Sequence, residues 1–565
     1  MVEREIDSTV DMKGSLLNES PLTGSPLNGE PRHRWLLLFA AIMCLASVAR
    51  DTVPKIARAD IYERDLDQHV WWTAQFDDSE LFPDDVIFDF YSRRTFAPPV
   101  HQLVYRALAP VAEVQLIADS IPVVLGLLCA GLAFLLGRRV ANGSVLAGVA
   151  AMAFFALANL QRDHIPAFLP RSMALPLLML GAYALVSRRQ ILLGITFLLA
   201  VLSYPPVVVN LGLFSAAVLL PRWWRERSIG KGGLPMIALG GIALAILIAM
   251  QQSSMSSELG PRITRAEAMA SEEFQKGGRN RFFEENPLEL VVENRRAGMG
   301  MSFEGAGVLV ALLVISVTLL PGALTAEASA LGLSALAAFA LAHAVLFALY
   351  LPNRYVSTAL PVFVTMWLAG ALPRVLERIS RTRLAAPGRY PRVIVAIAAL
   401  VTLGFSIEVG FKISRQLDQT PDVELELTYA FLSGLPADTL IAAHPAVASD
   451  VPLRTRRSVL ASEETSIPYM VGYHAIMRER LMSTFAALLA TEWSQVDALA
   501  DRYGVDVILV DRRRFDRSGA SYFIPYRDEI KRLRRAAAPD PFVLESPPPE
   551  RVLFRTGNYM VVELR

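Results

Sequence analysis

The chain has 565 residues, of which 53% are hydrophobic and only 19% charged, with a mean hydropathy of +0.38. Soluble domains carry about 25% charged residues, so an ordinary soluble protein is excluded and the excess apolar surface must face lipid. The formal net charge is +1, and the basic residues fall in short runs between apolar stretches, a pattern that excludes nucleic acid as a partner; Cys44 and Cys129, the only cysteines, lie inside apolar stretches and exclude a disulfide framework or a zinc site in the loops.

Residues 1–31 are polar, rich in Ser, Asn, Gly and Pro, and are expected to form a disordered cytoplasmic tail. Arg32 and Arg34 precede the first apolar run, and the long tail before them is unlike a signal peptide, so that run is expected to be a retained anchor. Apolar runs long enough to span a bilayer lie at 35–49, 114–136, 145–160, 168–186, 235–250, 305–320, 329–351, 356–372 and 393–411. The stretch 191–220 is apolar but interrupted at Tyr204-Pro205-Pro206, where two prolines remove backbone donors and favour a break. Loops holding Arg32/Arg34, Arg138/Arg139, Arg188/Arg189, Arg222 to Lys231 and Arg374 to Arg392 carry the positive-inside signal. They share one side only if 191–220 crosses out and back. That parity predicts a polytopic α-helical protein of about 10–11 transmembrane segments. The N-terminus is then cytoplasmic and three regions external: loop 50–112, loop 251–304 and a soluble domain over 412–565.

The last region changes character. Thr439 to Ala443 and Val505 to Val510 read as buried strands, Ile476 to Tyr503 as helical, and Arg551 to Arg555 with Tyr559 to Leu564 as a closing hairpin across Thr556-Gly557-Asn558. A small α/β domain is expected. There is no internal repeat and no glycine-rich phosphate loop.

Loop 50–112 is crowded with acids: Asp60, Glu63, Asp65 and Asp67, then Asp77, Asp78, Glu80, Asp84, Asp85 and Asp89. The run Glu63 to Trp72 sets carboxylates and His69 beside Trp71 and Trp72, and tryptophan favours the membrane–water boundary. A carboxylate held against apolar surface gains basicity by desolvation, which suits a general base meeting a water-soluble acceptor and a lipid-borne donor. A second group lies in two other external boundary segments, Arg162-Asp163-His164 through Phe168-Leu169-Pro170-Arg171-Ser172 and Tyr350-Leu351-Pro352-Asn353-Arg354-Tyr355. Arg171 and Arg354 depart from the positive-inside pattern. They are either snorkelling anchors or phosphate holders, since guanidinium matches phosphate oxygens bidentately. His69 and His164 lack partners at metal-ligand spacing and read as boundary hydrogen-bonders. Tyr204, at the helix break, is expected to line the cavity, and Glu284, Glu285, Glu293, Arg295 and Arg296 of loop 251–304 to wall a groove.

The order of parts, an anchor helix, an acidic first external loop, a many-helix body and an external C-terminal α/β domain, resembles the GT-C superfamily of integral membrane glycosyltransferases. The resemblance implies transfer of a sugar from a polyprenyl-phosphate-linked donor to an external glycan, lipid or protein acceptor. The two cysteines and the polar N-terminus without a signal peptide point to a bacterial inner membrane, with the C-terminal domain then periplasmic. By position it makes Asp65 and Asp67 the catalytic carboxylates and sets Arg171, Arg354 and Tyr355 at the donor phosphate. His69, Asp84, Asp85, Asp163, His164 and Tyr204 fall in the substrate-binding region. Some members of the superfamily use a divalent metal, so Mg or Mn in the acidic loop is compatible with the resemblance. The acidic motif here reads Asp-Leu-Asp where several branches have adjacent acids, which leaves two candidates for the base. The competing readings are a transporter or flippase, which also needs broken helices and cavity-facing polar groups, and a non-catalytic assembly protein of surface polysaccharide synthesis.

Overall fold

The computed structural model describes residues 30–93, 97–255, 259–380, 390–515, 522–537 and 540–565. The tail assigned to 1–31 lies outside them except for Glu30 and Pro31, which open the first helix. The chain is a polytopic helical membrane protein with a C-terminal α/β domain. Among the described residues eleven apolar helices build the body: α1 Glu30–Ala57, α2 Val114–Val140, α3 Val145–Leu157, α4 Ala174–Val186, α5 Gln190–Ser203, α6 Pro206–Glu226, α7 Gly233–Met255, α8 Phe303–Leu319, α9 Ala326–Ala344, α10 Asn353–Ser380 and α11 Tyr390–Leu417. Helices are the natural solution in lipid, because each satisfies its backbone hydrogen bonds internally.

Seven of the eleven are long and apolar enough to cross a membrane. The shorter α3, α4 and α5 are sheltered by their neighbours. In α4, ten of thirteen residues are buried, so protein rather than lipid surrounds it and its ~20 Å length need not match the bilayer. By contrast α8 buries only Ser316 and turns Val308, Val310, Leu312 and Val314 outward, as a lipid-facing helix does. The α2–α3 hairpin packs through small residues. A Cβ on Gly137 would sit 2.7 Å from the Ala147 carbonyl oxygen, and one on Gly148 2.8 Å from that of Phe134.

The break at Tyr204-Pro205-Pro206 ends α5 and starts α6, and the two run out and back. Gln190 at the start of α5 donates to the Ile229 carbonyl just beyond α6, at 3.0 Å. The basic loops therefore gather at one end of the bundle and the large loops at the other. Two boundaries differ from expectation: α1 continues to Ala57, so Arg50 and Asp51 are helical, and α11 runs past 411 to Leu417.

The C-terminal domain carries β1 Leu440–Ala443, β2 Ser458–Val459, β3 Val507–Asp511, β4 Val552–Thr556 and β5 Tyr559–Glu563 in the order β2-β1-β3-β5-β4. β1 is parallel to β2 and β3; β5 is antiparallel to β3 and closes on β4 as a hairpin. Helices α12 Val423–Ser433, α13 Val471–Leu488, α14 Trp493–Tyr503 and α15 Tyr526–Ala537 flank the sheet. The expected single helix over 476–503 is two helices, separated where Leu489, Ala490 and Thr491 leave helical conformation. Strand β2, two residues long, carries too little pattern to be seen in sequence.

This domain shares one core with both large loops. Trp71, Phe82 and Phe90 of the first loop, Phe274 and Phe282 of the second, and Tyr429, Tyr469 and Tyr473 of the domain pack in a single cluster. Phe90 stacks on Tyr473 at 3.6 Å between ring centroids. The second loop is stitched on through its backbone, with the Ile263 amide donating to Tyr469 and that of Tyr473 to Leu259. Trp71 and Trp72 are 1% and 2% exposed, so they are core residues of this seam and not the boundary anchors their type suggested.

Candidate functional site

The seam between loops and bundle brings together groups from distant parts of the chain. Asp65 precedes a single helical turn, Leu66–His69, and its carbonyl accepts from the amides of Gln68 and His69. Arg171 stands in the short helix Pro170–Met173, which its neighbours pin in place. Ser172 donates to the Ala167 carbonyl at 2.5 Å, and buried His101 and Tyr105 both meet the Phe168 carbonyl, at 3.1 and 3.0 Å. The result is an ion pair, Arg171 Nη2 to Asp65 Oδ2 at 2.6 Å, with Glu63 Oε1 at 3.6 Å as a second acid. Both partners of the pair are 31% exposed, so a ligand can reach them.

Arg354 lies in the first turn of α10, whose N-terminal amides already give that end positive character. Its Nε is buried without a hydrogen-bond partner, as is that of Arg171. Among the described residues no carboxylate forms an ion pair with Arg354; Asp65 acts on it at longer range, and Tyr204, Tyr350 and Tyr469 surround it. A half-buried cation at a helix N-terminus, with its Nε shut off from water, is unfavourable until an anion arrives. His164 and His69 complete the circle. Burial first, then Arg171 and Arg354, draw the His164 imidazole down to about 4. Burial likewise takes His69 to about 4, against the pull of Asp65. Both are neutral at physiological pH and add no charge.

The two aspartates of the Asp-Leu-Asp motif part company. Burial pushes Asp65 up, but Arg171 with His69, Arg354 and Arg279 overrides it and holds the carboxyl below the usual range. The gain in basicity expected from desolvation is thus cancelled while the ion pair stands. Asp67 is 1% exposed and faces away, towards Tyr62 (3.5 Å) and Asp450 of the C-terminal domain. Burial, then the Asp450 carboxylate hydrogen-bonded to it, raise it well above the usual range.

The remaining sequence candidates have other surroundings. Tyr355 is buried, donates its hydroxyl to the Leu349 carbonyl at 2.7 Å and accepts from Asn210 on its own carbonyl, so its hydroxyl is engaged within the fold. Asp85 caps the helix Val86–Tyr91, accepting from the Ile87 and Phe88 amides, beside Ser458 and Arg480. Asp84 is exposed with φ 51° in the turn before it, and Asp163 is exposed beside Arg162 and Arg50. Asp77 pairs with Arg456 at 3.0 Å and Asp60 with Arg58. Much of the loop's acidity therefore serves structure. Among the described residues no three His, Cys, Asp or Glu side chains converge on a point that could hold a metal ion. With Asp65 paired to Arg171 and Asp67 to Asp450, these carboxylates as placed do not fit a divalent cation.

Sequence reasoning missed Arg279, which pairs with Glu464 at 2.8 Å beside the site. Glu63 of the acidic run approaches Arg171, and Arg296, expected to wall a groove, donates to the Tyr469 hydroxyl at 3.2 Å. The two arginines followed by two aromatics in Arg279-Asn280-Arg281-Phe282-Phe283 were the available signal for Arg279.

No protein-family model and no curated protein sequence matches the chain. Solved structures of the oligosaccharyltransferase of Archaeoglobus fulgidus are similar to it at low level. Its apo form has 13% identity and a TM-score of 0.45, over 85% of this chain and 70% of that one. The same archaeal protein, AglB, in complex with an inhibitory peptide and a dolichol-phosphate has 12% identity and a TM-score of 0.44, over 85% and 70%.

Proposed function

We propose that the chain is a membrane glycosyltransferase that moves a sugar from a polyprenyl-phosphate-linked donor to an acceptor on the side of the C-terminal domain. The observation that carries the reading is the pairing of an accessible Asp65–Arg171 ion pair with a neighbouring Arg354 that, among the described residues, forms no ion pair and keeps its Nε without an acceptor. An anionic headgroup entering between the two arginines would supply the missing charge at the N-terminus of α10.

The chemistry follows from these side chains. An acceptor hydroxyl, or an amide nitrogen, attacks the anomeric carbon while the bond from that carbon to the lipid phosphate oxygen breaks. The electron pair goes to the phosphate, and Arg171 and Arg354 stabilise the charge that grows there. The acceptor proton passes to Asp65. As the donor phosphate draws Arg171 to itself, it loosens the Asp65 ion pair, and the carboxylate recovers basicity once the donor is seated. Asp67, buried against Asp450, positions the turn that carries Asp65 and does not meet substrate. The domain division near 411, the cytoplasmic N-terminus, the periplasmic C-terminal domain and a bacterial inner membrane belong to the same proposal, supported by the basic loops that share one end of the bundle.

The test is native mass spectrometry of the purified protein with an added short-chain polyprenyl phosphate. A bound species in wild type that Arg354→Ala abolishes is the expected result. If wild type carries only bulk phospholipid and takes up no polyprenyl phosphate, the lipid-donor reading fails.

A further inference from the structure

At the opposite end of the bundle from Asp65 and Arg171, the turns joining α4 to α5 and α6 to α7 line an open cavity of about 460 Å³. Its charged lining is four cations, Arg188, Arg189, Arg222 and Lys231, against a single carboxylate, Glu226. That carboxylate neutralises little: it stands 3.9 Å from Arg188, with the two side chains 50% and 65% exposed. Glu327 at the start of α9 is the other acid that acts on Arg222. Among the described residues Arg189, Arg222 and Lys231 have no ion-pair partner, although Arg189 lies over the Tyr183 ring at 5.6 Å. The Trp223 indole Nε1 is buried with no acceptor. The walls are apolar, from Ile191, Leu192 and Ile229, and Trp224 beside it is 87% exposed, the placement of a side chain at a membrane boundary. The wall itself is built, because Gln190 bridges to the Ile229 carbonyl and fixes the 227–232 turn over α5.

A positive-inside loop needs only cations in solvent. It does not need a cleft with apolar walls, a stranded indole N–H or a closing hydrogen bond. We propose that this cavity binds a phosphate ester, the charged headgroup of an anionic lipid from the adjoining leaflet or the same group free in solution. Arg222 and Lys231 provide the charge, Trp223 donates a hydrogen bond, and the Ile191, Leu192 and Ile229 walls receive apolar substituents. The site is separate from the transfer centre, and α4 alone sets some 20 Å between them.

The test is native mass spectrometry of delipidated full-length protein, re-equilibrated with phosphatidylglycerol and phosphatidylcholine. Wild type should retain phosphatidylglycerol selectively, and Arg222→Gln/Lys231→Gln should weaken that retention about 30-fold, from two lost headgroup cations. Trp223→Phe, which keeps the ring, should weaken it several-fold and serves if the double variant does not fold. Inorganic pyrophosphate added to wild type separates the sources: displacement of the lipid at submillimolar concentration assigns the site to free phosphate, and no displacement assigns it to the headgroup. Equal retention of phosphatidylglycerol by wild type, the double variant and Trp223→Phe, with no pyrophosphate adduct, would overturn the proposal and reduce these cations to topology signals.

Discussion

Arg171→Ala and Asp65→Asn should move donor binding in opposite directions. A charge-assisted hydrogen bond contributes about 1.5–3 kcal/mol, so Arg171→Ala should weaken polyprenyl phosphate binding roughly 10- to 150-fold. Asp65 competes with the phosphate for the same guanidinium at 2.6 Å. With both side chains 31% exposed, that competition lies between the weak exposed pair and the stronger near-surface Coulomb figure, at about 1–2 kcal/mol. Asp65→Asn should therefore tighten polyprenyl phosphate binding by about 5- to 30-fold while abolishing transfer. The assay is a titration followed by native mass spectrometry, with sugar transfer measured on the same preparations. If Asp65→Asn weakens phosphate binding in step with Arg171→Ala, the carboxylate belongs to the phosphate site itself and the exchange of partners is wrong.

Three further outcomes follow from the surroundings of particular groups. Asp67 has a raised pKa in the docked state, so its contribution to docking stability is full below the ordinary carboxylate value of about 3.9 and is lost as pH rises from there through the raised value. Asp67→Asn should flatten that slope and increase hydrogen-exchange protection of the Tyr429 and Asp450 segments at pH 7; wild-type protection that climbs with pH would contradict it. His69 is drawn down to about 4, so its imidazole NMR signals should show no titration between pH 5.5 and 8, and a midpoint near the ordinary 6.5 would mean the ring is not enclosed as described. A Cβ on Gly472 would fall 2.6 Å from the carbonyl of Leu259, so Gly472→Ala should loosen the seam by about 1–3 kcal/mol and expose loop 251–304 to protease, and unchanged cleavage would show that the backbone gives way there.

How much of this was legible in the sequence depended on range. The helices were visible because lipid imposes a long apolar run that needs no knowledge of partners, and the break at Pro205-Pro206 was visible because proline acts through its own backbone. The two helices that replace the one expected over 476–503, and the two-residue strand β2, were hidden because their limits are set by tertiary neighbours rather than by local pattern. At the site, Asp65, Arg171 and Arg354 could be singled out as charges out of place at a membrane boundary. The C-terminal residues packed around them could not: Glu464 (partner of Arg279), Asp450 (beside Asp67) and Tyr469 (near Arg354) lie hundreds of residues downstream of the first loop, in a domain whose docking no local rule reveals. The same limit explains Asp85 and Tyr355, whose residue types fitted a substrate site but whose side chains are engaged by a helix cap and by the Leu349 carbonyl.

The Asp-Leu-Asp motif shows why one loop can serve both chemistry and assembly. The backbone turns helical at these residues, and positions two apart on a helix point about 200° away from each other. Asp65 is thereby directed to Arg171 and the open side, and Asp67 to Asp450 and the buried seam. An acid at the second position costs docking energy at neutral pH, which a neutral isostere would avoid, so its presence ties the posture of the turn to the protonation of the seam. Opening the seam would release Asp67 to ionise and free the turn that holds Asp65 against Arg171. The Asp65–Arg171 geometry should therefore depend on docking of the C-terminal domain, and a chain truncated before α12 should keep its membrane body while losing that geometry.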